Sequence, residues 1–156
     1  MAKPQITSKI ARTIVSKRGF VNNRHKALMG LVLLSHQLDD KRQEILKPYN
    51  ITSQQYNVLR ILRGQHPKAL PMQSISQRML DKQSDVTRLV ERLIKLELVI
   101  REVFEQDKRI VHISITPKGL GLLKELDRKV HHAWAFKGVT DEEINILIDI
   151  IEKMLD

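Results

Sequence analysis

The chain has 156 residues, 42% of them hydrophobic, no cysteine and a formal net charge of +9. That length can bury a core unaided, and the lack of cysteine excludes disulfides, thiolate metal ligands and thiol-based redox sensing. No run approaches the roughly 18 uninterrupted apolar residues of a membrane span, and Met1 to Phe20 lack the apolar core and cleavage site of a secretory signal, so a soluble cytoplasmic protein with no membrane partner is expected.

Residues 1–21 read as a basic arm. Over residues 1–38 the chain carries Lys3, Lys9, Arg12, Lys17, Arg18, Arg24 and Lys26 and no acid, a local charge of +7. Residues 49–80 add Arg60, Arg63, Lys68 and Arg78, again without an acid, whereas the C-terminal segment is acidic through Asp141, Glu142, Glu143, Asp149, Glu152 and Asp156. A surplus of this sign favours polyanions such as nucleic acid. A solvated, disordered arm has the same composition.

Asn22 to Leu46 predicts a long helix, with Leu31, Leu34, Leu38 and Ile45 near helical spacing and Pro48 as its stop. Leu28, Met29, Val32 and Leu33 widen its apolar face enough to suit a partner subunit as well as an internal core. Thr52 and Gln55 form a capping box opening a helix with Val58, Leu59 and Leu62 inward, closed by Gly64 and Pro67. A short helix is expected over Leu70 to Leu80, with Met72, Ile75 and Met79 on one face, and then a polar break.

The clearest pattern runs from Ser84 to Glu97, where Val86, Leu89, Val90 and Leu93 follow i, i+3, i+4, i+7. The opposite face carries Ser84, Thr87, Arg88, Glu91, Arg92 and Lys95. Leu98 to Phe104 and Ile110 to Ile115 alternate and are β-branched, so they predict a hairpin with its turn at Glu105 to Lys108. Thr116 and Pro117 then cap a helix with Leu120, Leu123, Leu126, Val130 and Trp134 on one side, ended by Gly138. A second capping box, Thr140 with Glu143, opens a last helix striped by Ile144, Leu147, Ile148, Ile151 and Leu155.

The fold class expected is therefore mainly α with a small β-hairpin wing: a winged helix-turn-helix lobe over about 51–116, flanked by dimerisation helices at about 22–47 and 117–156. A helix about 10–12 Å across fits the major groove of B-DNA, and its N-terminal residues usually meet the bases. That assigns Ser84, Asp85, Thr87 and Arg88 to base edges or nearby phosphates, with Arg92 and Lys95 toward the backbone. An ordinary solvated helix, with Glu91 paired to Lys95, carries the same residues; the adjoining hairpin favours DNA. At the hairpin tip, Asp107, Lys108 and Arg109 suit a wing that follows the backbone or enters the minor groove. Charges across 84–115 nearly cancel, so position outweighs net charge there.

Ser84 to Glu102, SDVTRLVERLIKLELVIRE, followed by QDKR and by ISITPKG at 113–119, resembles the MarR family of regulators, over about residues 24–156. The resemblance implies a wing arginine in the minor groove, Arg109, with Asp107 holding the wing. It also implies a homodimer on a pseudo-palindromic operator in double-stranded DNA, release by a small anionic aromatic ligand, and repression. Two departures stand out: Glu97 occupies a position where the family usually has glycine, and the arm before Asn22 is long. That arm is left three roles, reaching a neighbouring groove, covering the partner subunit, or remaining disordered.

Candidates to line a ligand cleft are Arg24, His25, Met29, Tyr56 and Trp134, each equally readable as packing or surface. The histidines at 25, 36, 66, 112, 131 and 132 form no metal-ligand spacing, and no catalytic motif is present. Neither a metal, another cofactor nor enzymatic activity is expected. Two rival functions share the composition: an architectural protein coating DNA without sequence preference, and a winged helix whose cations pair with an acidic protein.

Overall fold

A computed structural model describes residues 9–13, 20–103, 111–130 and 135–155. The chain divides into two compact units, residues 1–53 and 54–156. In the first, α1 (Lys9–Thr13) and α2 (Asn23–Leu46) are followed by a 3-10 turn, Lys47–Tyr49. Asn22 caps α2 by accepting the His25 N–H, 2.8 Å, which satisfies one of the donors that a helix start leaves without a partner. Pro48 falls in the 3-10 turn and Asn50 follows in the left-handed region, φ 55°, so the helix cannot continue.

The arm is not featureless, since it contains α1. That helix packs on α2, with Ala11 buried and Ile10 lying over Gly30. Along α2, Leu28, Leu31, Val32 and Leu34 of the predicted wide apolar face are exposed, whereas Met29, Leu33 and Leu38 are partly covered.

The second unit, whose boundary falls after the first residue of α3 (Ser53–Arg63), holds the rest of that helix, β1 (Leu70–Pro71), α4 (Met72–Arg78), α5 (Val86–Lys95), β2 (Val99–Val103), β3 (Val111–Ile115), α6 (Pro117–Lys129) and α7 (Asp141–Leu155). Its core is built from the predicted faces: Val58, Leu59 and Leu62 of α3, Ile75 and Met79 around α4, Val86, Val90 and Leu93 of α5, and Leu123 and Leu126 of α6. Each such side chain contributes about 1.5–3 kcal/mol by leaving water. Arg63 of α3 and Asp127 of α6 meet through two hydrogen bonds, 2.6 and 3.3 Å, tying these helices at the surface.

Three elements differ from expectation. Leu70 and Pro71 are not helical; they form a third strand, paired with Ile113 and His112, in a sheet ordered β1-β3-β2. Proline is tolerated because β1 is an edge strand. The helix at 84–97 spans only Val86–Lys95, since Asp85 is its cap. The helix after Thr116 ends at Lys129 rather than near Gly138, which lies in a later turn at φ 82°. The Thr140–Glu143 box is formed in both directions, each backbone N–H donating to the other side chain, 2.9 and 3.2 Å. Along α7, Ile148, Ile151 and Leu155 are exposed.

Candidate nucleic-acid interface

The turn between α4 and α5 is held from two sides. Asn57 of α3 accepts the Leu80 N–H through Oδ1, 3.0 Å. Asp81 accepts the Gln83 N–H, 3.0 Å, and the Ser84 hydroxyl, 2.9 Å. The Ser84 hydroxyl, assigned to DNA from the sequence, thus donates to Asp81 in the free chain. Asp85 accepts the Arg88 N–H through Oδ1, 3.1 Å, and is the N-cap of α5. A carboxylate there also complements the positive end of the helix dipole.

From this start α5 buries one face and presents the other. Val86, Val90 and Leu93 lie in the core, whereas Thr87, Arg88, Glu91, Arg92 and Lys95 are exposed. Helical periodicity alone separates these sets. Glu91 pairs not with Lys95 but with Arg101 of β2, 3.6 Å, which ties the helix to the sheet. Around that pair lies an open groove of about 480 Å³, lined by Glu91, Ile94, Lys95, Ile100 and Arg101.

The exit of α5 resolves the Glu97 departure. Glu97 adopts the left-handed conformation itself, φ 60°. Its N–H donates to Ile94 O, 2.8 Å, and the next N–H, Leu98, donates to Leu93 O, 3.0 Å. These are the two bonds of a Schellman closure, usually made with glycine. The glutamate is supported there: Thr116 Oγ1 donates to its carbonyl, 2.8 Å, and Lys118 Nζ donates to its carboxylate, 2.8 Å. The Lys118 hydrogen bond, and then its charge, hold the Glu97 carboxyl below the usual carboxylate range.

Leu98 then joins helix to wing. Its carbonyl accepts the Thr116 N–H, 3.1 Å, while Thr116 caps α6 by accepting the Gly119 N–H, 3.0 Å. Gly119 must lack a side chain, because a Cβ would fall 2.3 Å from Leu98 O and 2.7 Å from Ile115 Cγ1. The Thr-Pro-x-Gly motif is therefore the clamp by which α6 seats the strands against the end of α5. In the sheet, β2 and β3 pair from Val99 with Ile115 to Val103 with Val111, and the buried Ser114 hydroxyl donates to Glu102.

A family profile described as transcriptional regulator SarA/Rot matches residues 41–126, more than half of the chain and all of the helix-and-sheet arrangement just described. The chain belongs to that family, a MarR-like winged-helix transcription regulator. A MarR transcription factor from Planctomyces limnophilus is similar at 30% identity and TM-score 0.67, over 86% of this chain and 98% of its own. An HTH-type regulator of Bacillus subtilis (strain 168), YsmB, is 31% identical over 75% of this chain and 80% of its own length. A mutant MarR from E. coli, solved with operator DNA, shares the fold at TM-score 0.73 and 22% identity, over 88% of this chain and all of its own.

Within this winged-helix regulator, the wing residues Asp107, Lys108 and Arg109 lie outside the described residues, as does Trp134. Of the other cleft candidates, Arg24 and His25 are exposed and Met29 is partly so. Tyr56 is buried at 5% exposure, with the Arg60 guanidinium 5.9 Å from its ring centroid. Among the described residues no group of three or more His, Asp or Glu is placed to hold a metal ion, and no helix is long and apolar enough to cross a membrane. Sequence reasoning missed Asn57, Asp81 and Leu98 as organisers of the site; an amide whose partner lies 23 residues on, or a doubly bonded leucine backbone, carries no local sequence signal.

Proposed function

We propose that this regulator is a homodimeric repressor that binds a pseudo-palindromic operator through two α5 helices seated in successive major grooves, about 34 Å apart. The observation that carries this reading is α5 itself. Its inner face is locked into the core and its start is capped by Asp85, so Thr87, Arg88, Arg92 and Lys95 stand on a rigid exposed surface. Thr87 and Arg88, on the first turn, suit base edges, and an arginine fork matches guanine bidentately. Ser84 and Asp85 shape the helix entry and reach DNA from there. Arg92 and Lys95 suit phosphates. Arg109 is assigned to the minor groove, with Asp107 holding the wing and Lys108 on the backbone. A small anionic aromatic ligand releasing the DNA fits the family resemblance, with Arg24, His25, Met29, Tyr56 and Trp134 as candidate contacts.

Selection of bound sequences from random duplexes by the purified chain tests specificity, symmetry and spacing together. Two inverted half-sites separated by one helical turn are expected; a single unpaired half-site would overturn the dimeric reading. The near-neutral charge of 84–115 also suits a second reading, an architectural protein that coats DNA mainly through its other cations. Competition with bulk DNA separates the two, since a specific regulator keeps its operator complex in excess competitor.

A further inference from the structure

The charge of this chain sits away from its recognition helix. Residues 1–38 hold +7 of the net +9, whereas across 84–115 six cations face six acids. Non-specific attraction to DNA comes almost wholly from cations near phosphates, so the region that reads sequence is not the region best equipped to supply that attraction.

The described part of the N-terminal region is folded. In α1, Ile10 lies over Gly30 of α2, its Cδ1 3.0 Å from where a Cβ on Gly30 would stand, and Ala11 is buried at 5% exposure. The bare glycine leaves the Ile10 methyl group room to lie close against the α2 backbone. With Ile10 and Ala11 turned to α2, Lys9 and Arg12 are left exposed. Arg24 and Lys26 stand in the first turn of the same α2, Arg24 about 9 Å along the axis from Gly30 at 1.5 Å per residue. Among the described residues none of these four cations has a carboxylate within ion-pair distance.

We infer that α1, docked through Ile10 on Gly30, forms with the first turn of α2 a built cationic surface that binds the phosphate backbone of DNA. It supplies affinity without sequence choice. This rests on the DNA-binding reading above and adds a second contact region to it. Duplex DNA fits the surface because it presents one negative charge per about 1.7 Å of axis, so cations of a single sign that hold no ion-paired acid meet phosphates without first breaking salt bridges.

The test measures affinity of the full chain for its selected operator and for a random duplex across 50–200 mM salt. Three proteins are compared: wild type, Lys9→Gln/Arg12→Gln, and the charge-neutral Ile10→Ala. Loss of two phosphate contacts lowers the log–log salt slope by about 1.8, so the fall in affinity over that range shrinks about twelvefold, equally for both duplexes. Ile10→Ala, which keeps every charge but loosens the seat, lowers the slope by a smaller step. An unchanged slope in the charge variant, with wild type still binding its operator, overturns the inference and leaves the DNA-binding reading standing. A reduced slope in the charge variant but none in Ile10→Ala overturns the docked surface in favour of an unseated arm. Wild type that binds anionic phosphatidylserine vesicles but no duplex overturns both. Circular dichroism matching wild type confirms that the exposed substitutions leave the fold intact.

Discussion

Gly119 and Glu97 show what single positions contribute to holding helix and wing together. A methyl group at Gly119 meets a carbonyl, Leu98 O, that is already fixed by the Thr116 N–H, and a branched side chain, Ile115, buried in the core. Neither can move without breaking the clamp. Gly119→Ala is therefore expected to cost about 1–3 kcal/mol, the range of an overpacked core, read as a lower urea midpoint with an unchanged m-value. Glu97 is the opposite case, a side chain in a left-handed conformation that glycine adopts freely. Glu97→Gly should raise the thermal midpoint and Glu97→Ala should lower it, since alanine keeps the backbone cost and loses the Lys118 pair. The pair also has a pH signature. A carboxyl held low in the folded chain stabilises it above the ordinary glutamate range and stops doing so as pH falls through the depressed value. Stability of Glu97→Gln should thus fall less than that of wild type in the acid limb, and parallel curves would remove the pair from the account.

At the scale of elements, α5, proposed to face DNA, divides its cations by position. Arg88 is in the first turn of α5 and Arg92 one turn on, both exposed. Arg88→Ala is expected to cost about 1–3 kcal/mol against the preferred base and to relax selection at that position, whereas Arg109→Ala should weaken all sequences alike and lower the salt slope by about one. Selection and salt titration on both variants check this; equal effects on every sequence would erase the division of roles. The faces of α3, α5 and α6 were legible because each repeats its apolar residues at helical spacing over several turns. Strand β1 was not. Its two residues adjoin the Met72, Ile75, Met79 spacing, and what makes Leu70 a strand is Ile113, far along the chain. The seat of Ile10 on Gly30 was equally hidden, since α1 is one turn long and shows no period. In the site, the exposed set on α5 followed from periodicity. The Glu91–Arg101 pair and the Asp81–Ser84 bond did not, because both depend on where the chain turns back.

For the whole molecule, the exposed apolar surface bears on the proposed dimer. In α7 Ile146, Ile148, Ile150, Ile151, Met154 and Leu155 are all exposed, and no residue of that helix is buried, although it is well capped and strongly apolar. In α2 Leu28, Leu31, Val32 and Leu34 are exposed as well. Single chains rarely display apolar patches of this kind without a use for them. A second copy of the same chain is the occupant proposed, because a two-fold pair of α5 helices is what a pseudo-palindromic operator requires. Ile148→Glu/Ile151→Glu puts two carboxylates on the α7 stripe without touching α5. Sedimentation should then report half the wild-type mass, and the thermal midpoint should lose its dependence on protein concentration. Operator affinity should fall by about 10²–10⁴-fold, the gain that linking two half-site contacts supplies, while binding to a single half-site duplex stays near that of wild type. If the variant keeps the wild-type mass, α7 is not what holds the copies together. If it becomes monomeric yet binds the full operator undiminished, the two half-sites are not read by one dimer.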